Sequence, residues 1–568
     1  MQNMARKLLL REIKNFKWQR KLSFSAVLRN DFVIKSTLPD IVVPQMRFLD
    51  RLWVDSAKFQ NHVALESAET NKRYTYVQLQ KNISVFATSL LKKLGLKPGD
   101  VMAVMLPNCP EFPVVAFGSI QAGVVLTTVN PIYKEFELNH QLTITEPKVV
   151  VTIPECYDTV VKAIKNAKMN VRIILVDNPS NPVPNDVIRY SEIAESGEAD
   201  YGLLDKVERG MDEVACIPFS SGTTGLPKGV AITYGNLLAS IETMHQKETC
   251  FPILPHGDFQ DVLPAFLPFF HIYGLVITLI GHLSKGSKMV TMAKFSASTY
   301  LDILKTQKAS LLYIVPPVAI LLGKHPDVND QHFCNVRHIC CGAAPLAASD
   351  VEAIQAKSKN EIEFNQGFGA TETTSLGTTT FKGNKDVDYS ACGAPAASVT
   401  LKFADPATGE LVPVGQQGEM YIRSPTIMKG YYRNPEATAD CMTEDGYFKT
   451  GDLGYYKPGV GMFITDRIKE LIKVKGMQVA PAELESILRS HPAVQDAAVI
   501  GVPHEFFGEA PKAFIIRKNG LKASEEEIQD FVASKVAVYK KIEEVMFVDD
   551  IPKTASGKIL RKELKKMC

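Results

Sequence analysis

Residues 218–229 read Pro-Phe-Ser-Ser-Gly-Thr-Thr-Gly-Leu-Pro-Lys-Gly, directly after the strand-like stretch 214–217. Glycines such as Gly222 and Gly225 let backbone N–H groups approach phosphate oxygens. The hydroxyls of Ser220, Ser221, Thr223 and Thr224 add donors, and Lys228 adds a positive charge. The combination predicts a phosphate-binding loop. No pair of glycines in it has the spacing of a Walker loop before Gly-Lys-Ser/Thr, so P-loop kinase or GTPase chemistry is disfavoured. The plain alternative for this segment alone is a flexible surface connection.

Other side chains could do chemistry, but each also has an ordinary structural explanation. His271 lies in Leu-Pro-Phe-Phe-His-Ile-Tyr-Gly (267–274), where a lone histidine among aromatic residues is usually a hydrogen-bonded core residue. Lys558 closes Pro-Lys-Thr-Ala-Ser-Gly-Lys (552–558) beside Lys553, Lys562, Lys565 and Lys566, and a basic face of that kind is normally solvated. Cys334, His338, Cys340 and Cys341 lack the paired spacing of a zinc site, so free thiols are expected there.

In chain order, 220–229, 267–274, Gly342-Ala343-Ala344-Pro345, 366–372, Thr450-Gly451-Asp452, 466–476 and 552–560 resemble the adenylate-forming superfamily. That group holds acyl-CoA synthetases, 4-coumarate ligases, luciferases and peptide-synthetase adenylation domains. The resemblance spans about residues 50–564. It implies a chain that activates a carboxylic acid with ATP as an acyl-adenylate and then transfers the acyl group to coenzyme A. It further implies that the 220–228 loop holds the β- and γ-phosphates, that Glu372 binds Mg²⁺ and that Thr371 touches the α-phosphate. Adenine is expected against Gly342, Ala343, Ala344, Pro345 and Phe368, with Gln366, Gly367 and Gly369 also among the ATP/AMP-binding residues, and the ribose on Asp452 and Arg467. Lys558 becomes the lysine that reaches the carboxylate and α-phosphate during adenylation. Lys473, Gly476 and Gln478 are expected to serve thiolysis after the C-terminal unit turns about a hinge at Lys469. His271, Tyr273, Gly369, Ser375 and Leu376 are expected to line the acyl pocket. The residues after Glu372, Thr-Thr-Ser-Leu, depart from the Ala-Gly-Pro-Val of many plant enzymes, which weighs against coumarate as the acid. A medium- or long-chain fatty acid is ranked slightly ahead of an aryl acid. The rivals are a luciferase-like oxygenase, a free-standing enzyme that loads a carrier protein and, in another class, a catalytically silent nucleotide or acyl sensor.

These residues need a scaffold to hold them, and hydrophobic periodicity supplies its outline. From Tyr74 a 3.6-residue period (Leu79, Ile83, Phe86, Leu90, Leu91) predicts a helix that stops at Gly95. Continuous apolar runs at 101–106, 124–129, 149–153, 173–176, 311–315 and 336–340 predict buried parallel strands joined by crossover helices. Past about residue 468, a helix near 481–489, strands near 497–502 and 513–516, and a helix near 524–534 predict a small α+β unit. The expected organisation is a transit peptide or basic arm at 1–35, a large α/β domain with parallel-rich sheets at 40–466 and a small α+β unit at 469–568, which the resemblance implies is a mobile cap on a hinge at 466–469.

A chain of 568 residues with 45% hydrophobic and 22% charged residues is long enough for several cores and too apolar for disorder. Lys plus Arg number 64 against 62 Asp plus Glu, which lacks the basic excess that a nucleic-acid binder needs. The uncharged runs 112–133 and 262–284 could each cross a bilayer of about 30 Å. Both are broken by Pro and Gly, so each is expected as strand, turn and buried helix. Within residues 1–30, Arg6, Lys7, Arg11, Lys14, Lys17, Arg20, Lys21 and Arg29 face one acid, Glu12. Leu9, Ile13 and Phe16 share one helical face there, and the pattern resembles a mitochondrial transit peptide. The alternative is a basic arm that touches anionic lipid. The end Lys-Met-Cys does not match the peroxisomal Ser-Lys-Leu signal. Ten scattered cysteines suit reduced thiols.

Overall fold

The computed structural model describes residues 32–70, 72–176, 182–220, 227–344, 346–374, 376–384, 387–474, 477–504, 508–536, 538–554 and 557–568. The first long helix, Tyr76–Lys92, begins where the sequence can satisfy its free N–H groups. The Thr75 side chain accepts from the Gln78 backbone N–H, and the Gln78 side chain accepts from the Thr75 N–H. Leu79, Ile83, Phe86 and Leu90 of that helix are all buried, which stabilises by about 1.5–3 kcal/mol per side chain.

That helix packs against helix Glu111–Gln121, and the largest sheet, of nine strands, has the order Phe219–Ser220, Lys228–Thr233, Val214–Cys216, Val125–Thr128, Val101–Met105, Val149–Thr152, Arg172–Leu175 and Val187–Arg189, with Gly430–Tyr431 added beside Lys228–Thr233. From Val214–Cys216 outward to Val187–Arg189 the pairings are parallel, as the apolar runs predicted. Lys228–Thr233 is antiparallel and brings Lys228 opposite Ser220. The described ends of the segment expected to hold phosphate, Phe219–Ser220 and Lys228–Thr233, are therefore an antiparallel pair at the sheet's edge.

A second sheet runs Leu311–Ile314, His338–Cys341, Glu363–Phe368, Thr378–Thr379 and Ala394–Pro395, with its first three strands parallel. Side by side, the carboxyl ends of two of them deliver Gly342 and Ala343 next to Phe368 and Gly369. A third sheet pairs Val262–Ala265, Lys288–Thr291, Val63–Ser67 and Arg73–Thr75. A fourth, antiparallel, ends in Phe448–Lys457 beside Gly461–Arg467 and places Asp452 directly opposite Arg467. The last sheet takes Met477–Val479, Ile472–Val474, Gly508–Arg517, Val494–His504 and Glu544–Phe547. It has its own core, in which Leu484 and Leu488 of helix Pro481–Arg489 meet Val499, Ile515, Ile528 and Val532.

The apolar run 262–284 forms a strand, a turn and a buried helical segment, and no helix among the described residues is long and apolar enough to cross a membrane. One detail departs from simple periodicity: Tyr273–Ile280 is wound as a π-helix before the α-helical turn Gly281–Leu283. The wider winding goes with a close backbone approach at its start. A Cβ on Gly274 would lie 1.9 Å from the Pro268 carbonyl oxygen and 2.5 Å from its carbon. Backbone atoms cannot yield as a side-chain tip can, so Gly274→Ala is expected to cost at least about 3 kcal/mol. A fall in the thermal unfolding midpoint reports it, and a midpoint equal to that of the wild type rules the clash out.

Candidate active site

Between the large unit and the smaller one lies a cavity of about 520 Å³. It falls in the range that holds a nucleotide-sized ligand. The sequence-predicted residues Ser220, Lys228, His271, Tyr273, Gly342, Ala343, Gly367, Phe368, Gly369, Thr371, Glu372, Leu376, Asp452, Arg467, Lys469 and Lys558 all line it. They come from segments up to about 340 positions apart, and the sheet edges described above bring them together.

At the hairpin end, the Glu372 carboxylate accepts a hydrogen bond from the Ser220 hydroxyl at 2.7 Å and from the Tyr431 hydroxyl at 3.0 Å. Lys228 Nζ stands 4.8 Å from the centre of the Tyr431 ring. A buried carboxylate beside a cation and two hydroxyls is a hard oxygen donor of the kind that suits Mg²⁺ when phosphate oxygens supply the remaining ligands. No cluster of three or more His, Cys, Asp or Glu side chains among the described residues could hold a metal without such help.

Beyond it, Ala343 takes a left-handed φ of 72°, and the Gly342 Cα lies close under Tyr273, where an added Cβ would sit 3.3 Å from the ring. The Phe368 ring is half-buried on the opposite strand end. Small residues on one side and an aromatic face on the other leave a slot that a planar base can enter. Arg467 Nε pairs with Asp452 Oδ1 at 3.0 Å. Burial pushes the Asp452 carboxyl up, while Arg467 and Lys558 oppose that.

Lys558 reaches this point from the smaller unit, on the turn before helix Arg561–Lys565. Burial and the nearby Arg467 hold its ammonium below the ordinary lysine range, while Glu470 and Asp452 work the other way. Lys558 Nζ is 3.9 Å from Glu470 Oε1, and Arg561 bridges Glu470 at 3.3 Å and Glu485 at 2.9 Å. At the other end His271 is neutral at pH 7, because burial takes its pKa to about 4. Its Nδ1 accepts from the Tyr273 N–H at 3.3 Å, which leaves Nε2 as the nitrogen that carries hydrogen. Tyr273, Leu376, Ile277 and Cys340 complete that end.

Three expected residues stand elsewhere. Gln366 and Ala344 do not line the cavity, and the Gln366 amide donates to the Tyr389 carbonyl instead. Lys473 is exposed on the hairpin that begins with Ile472–Val474, outside the cavity, with its backbone N–H donating to Glu509 at 2.8 Å. Ser221, Gly222, Thr223, Thr224, Gly225, Pro345, Ser375, Gly476 and the Gln478 side chain lie outside the described residues. The cysteines are free, and His338 bonds Asn365 at 2.6 Å rather than meeting its cysteine neighbours.

Periodicity and composition gave no hint of Tyr431 or Glu470. Tyr431 reaches Glu372 because Val230 pairs with it across strands separated by about 200 residues, and no local signal encodes that pairing. Glu470 follows Lys469, where its acidity was hidden in a lysine-rich stretch.

The AMP-binding enzyme model matches residues 52–432, and the model for the C-terminal domain of AMP-binding enzymes matches residues 483–558. The chain belongs to the AMP-binding enzyme family. A 4-coumarate–CoA ligase of Solanum tuberosum is 37% identical over 541 residues, covering 94% of this chain and 96% of that one. A 4-coumarate–CoA ligase of Vanilla planifolia is 37% identical over 543 residues, covering 94% and 96%. Among solved structures, ATP-bound MatB from Rhodopseudomonas palustris superposes with a TM-score of 0.81 at 28% identity, covering 92% of this chain and 98% of that one. This AMP-binding enzyme is thus an ATP-dependent, AMP-forming ligase that joins a carboxylic acid to coenzyme A through an acyl-adenylate, with Mg²⁺ accompanying the nucleotide.

Proposed function

We propose that the acid is hydrophobic, with an aryl acid as the first class, and that the cavity residues act as follows. The observation that carries this is one continuous cavity with Lys228, Glu372 and Lys558 at its polar end and His271, Tyr273 and Leu376 at its apolar end. The named activity of the plant relatives favours an aryl substrate. A carboxylate resists direct attack by a thiol because oxide would have to leave. Instead its oxygen attacks the α-phosphorus of ATP, the bond from that phosphorus to the β-bridging oxygen breaks, and pyrophosphate departs. Lys558 holds the attacking carboxylate and an α-phosphate oxygen, a charge-assisted contact that strengthens as charge builds. Lys228 neutralises the leaving phosphates. Glu372 holds Mg²⁺, which supplies Lewis-acid stabilisation of phosphate charge. Asp452 accepts the ribose hydroxyls, Phe368 covers the base, and neutral His271 positions the acid without adding charge.

The thiol of coenzyme A then attacks the acyl carbon, and AMP leaves. Lys558 occupies the ground the thiol needs, and Lys473 stands outside the cavity. For both reasons we propose that a unit at 469–568 turns against a unit at 40–466 about residues 466–469, pivoting at Lys469. That motion would bring Lys473, Gly476 and Gln478 to the site. We also propose mitochondrial targeting by the basic segment within residues 1–35, which sequencing of the mature N-terminus tests. Fatty acid is a second substrate class, favoured by a small chamber behind Leu376 and Ile277.

Pyrophosphate release measured over aryl and straight-chain acids, with and without coenzyme A, tests the whole reading. Enzyme-bound acyl-AMP that is consumed on addition of coenzyme A is expected. Folded protein that releases no pyrophosphate with any acid overturns it, and acyl-AMP that passes only to a carrier protein or to oxygen replaces the ligase by one of its rivals.

A further inference from the structure

Two neighbouring threonines end the strand Val125–Thr128, and each holds the root of a different part of the active site. The Thr127 hydroxyl donates to the Ile217 carbonyl at 2.7 Å, just before the chain enters the phosphate segment at Ser220. The Thr128 hydroxyl donates to the Phe270 carbonyl at 2.7 Å, immediately before His271. Successive side chains on a strand point to opposite faces, so one strand end can serve both segments. Both threonines are buried.

One side chain spans this fork. Gln141, on helix Glu135–Thr145, is 1% exposed and lines the active-site cavity. Its amide nitrogen donates to Thr127 Oγ1 at 3.0 Å and to the Thr128 carbonyl at 2.9 Å. The partners dictate that orientation, because a carbonyl only accepts and the Thr127 hydroxyl has committed its hydrogen to Ile217. Gln141 Oε1 is then buried with no hydrogen-bond partner among the described residues. An unpaired buried acceptor costs stability, so by that measure an apolar side chain of the same length would fold as well. What the glutamine adds is its grip on the two threonines. The preceding residue acts on the far end of the phosphate segment. His140 Nε2 lies 3.0 Å from the Pro227 carbonyl, and since that oxygen only accepts, Nε2 donates. One helix therefore holds Ile217 through Gln141 and Thr127, and Pro227 through His140.

We propose that Gln141, acting through Thr127 and Thr128, is a positioning residue for adenylation that sets the phosphate segment and His271 at a fixed separation. This rests on the proposed placement of ATP phosphates at Ser220 and Lys228 and of the acid beside His271. Under that placement the separation of the two segments is the separation of the attacking carboxylate from the α-phosphorus. A displacement of about 1 Å between reacting groups costs on the order of 100-fold in rate. Thr127 governs the nucleotide side of the gap, Thr128 governs the acid side, and Gln141 ties one to the other.

The test measures steady-state pyrophosphate release by the full chain with cinnamate and with dodecanoate as the acids. Thr127→Val and Thr128→Val keep the branched shape and delete one hydroxyl each, and Gln141→Met keeps the length and deletes both amide donors. Thr127→Val is expected to raise KM for ATP about fivefold, the size of one lost hydrogen bond, and to leave KM for the acid within about twofold. Thr128→Val is expected to do the reverse. Gln141→Met should lower kcat about tenfold or more while its thermal midpoint stays within about 4 °C of wild type. Thr127→Ser and Thr128→Ser restore the hydroxyl and should recover the wild-type constants, which keeps the test decisive should Gln141→Met fail to fold. Constants that match wild type in all three variants, or activity that falls only in step with the folded fraction, overturn the positioning role and leave the proposed function standing. Wild type that forms no acyl-AMP from any acid overturns both.

Discussion

Lys558→Ala is expected to slow acyl-adenylate formation about 100- to 1,000-fold, the usual loss when one preorganised donor to transition-state charge is removed. The affinity for ATP should change far less, since the hairpin, Asp452 and the Gly342 side remain. Transfer from supplied acyl-AMP to coenzyme A should also survive, because the proposed turn takes the lysine away for that step. Pre-steady-state pyrophosphate release, ATP titration and thioester formation from synthetic acyl-AMP separate the three quantities. Equal losses in both half-reactions would show that Lys558 holds the fold rather than the reacting oxygens.

The same lysine sets a pH dependence. In the proposed mechanism adenylation uses the ammonium form, and burial beside Arg467 lowers its pKa. The rate should therefore fall as pH rises, beginning below the range of an exposed lysine. Glu470 is one of the groups that favour the charged form. Glu470→Gln should accordingly shift the descending limb to lower pH, a readout that a purely structural role would not move. His271, with its pKa near 4, should contribute no inflection between about pH 5 and 8.

Glu372→Gln is the second large effect, with an expected loss of about 100-fold in adenylation at ordinary Mg²⁺ concentration. The amide oxygen can still accept from Ser220 or Tyr431, so the pocket should keep its shape. What disappears is the negative charge that draws the ion. The Mg²⁺ concentration for half-maximal pyrophosphate release should rise about tenfold or more. An unchanged Mg²⁺ dependence would remove Glu372 from the metal site, and Tyr431→Phe should show a smaller effect because it deletes a single hydrogen bond.

Much of the scaffold was legible because its signals are local. Thr75 and Gln78 form a helix start within four residues, and the continuous aliphatic runs near 101, 125, 149 and 173 can only be buried strands. The residues carrying charge and hydroxyls in the motifs were legible for a similar reason. Lys228 and the hydroxyls beside it suggest phosphate by type alone, whereas Phe368 and Asp452 were singled out through the family resemblance of their motifs. The π winding at Tyr273–Ile280 was not legible, since hydrophobic spacing does not encode it and the close approach of the Gly274 and Pro268 backbones that accompanies it joins separate segments of the turn.

By itself the sequence determined which chemical groups are present, their order along the chain and the class of fold that can carry them. Only the tertiary structure decided which of those groups share a cavity. It turned Gln366 toward Tyr389, set Lys473 on an outer hairpin and brought Tyr431 and Glu470 to Glu372 and Lys558. The reason is physical: residue type and spacing along one strand or helix fix which side a group takes, whereas contact between distant segments depends on strand register and close packing. Those are settled only when the whole core is assembled.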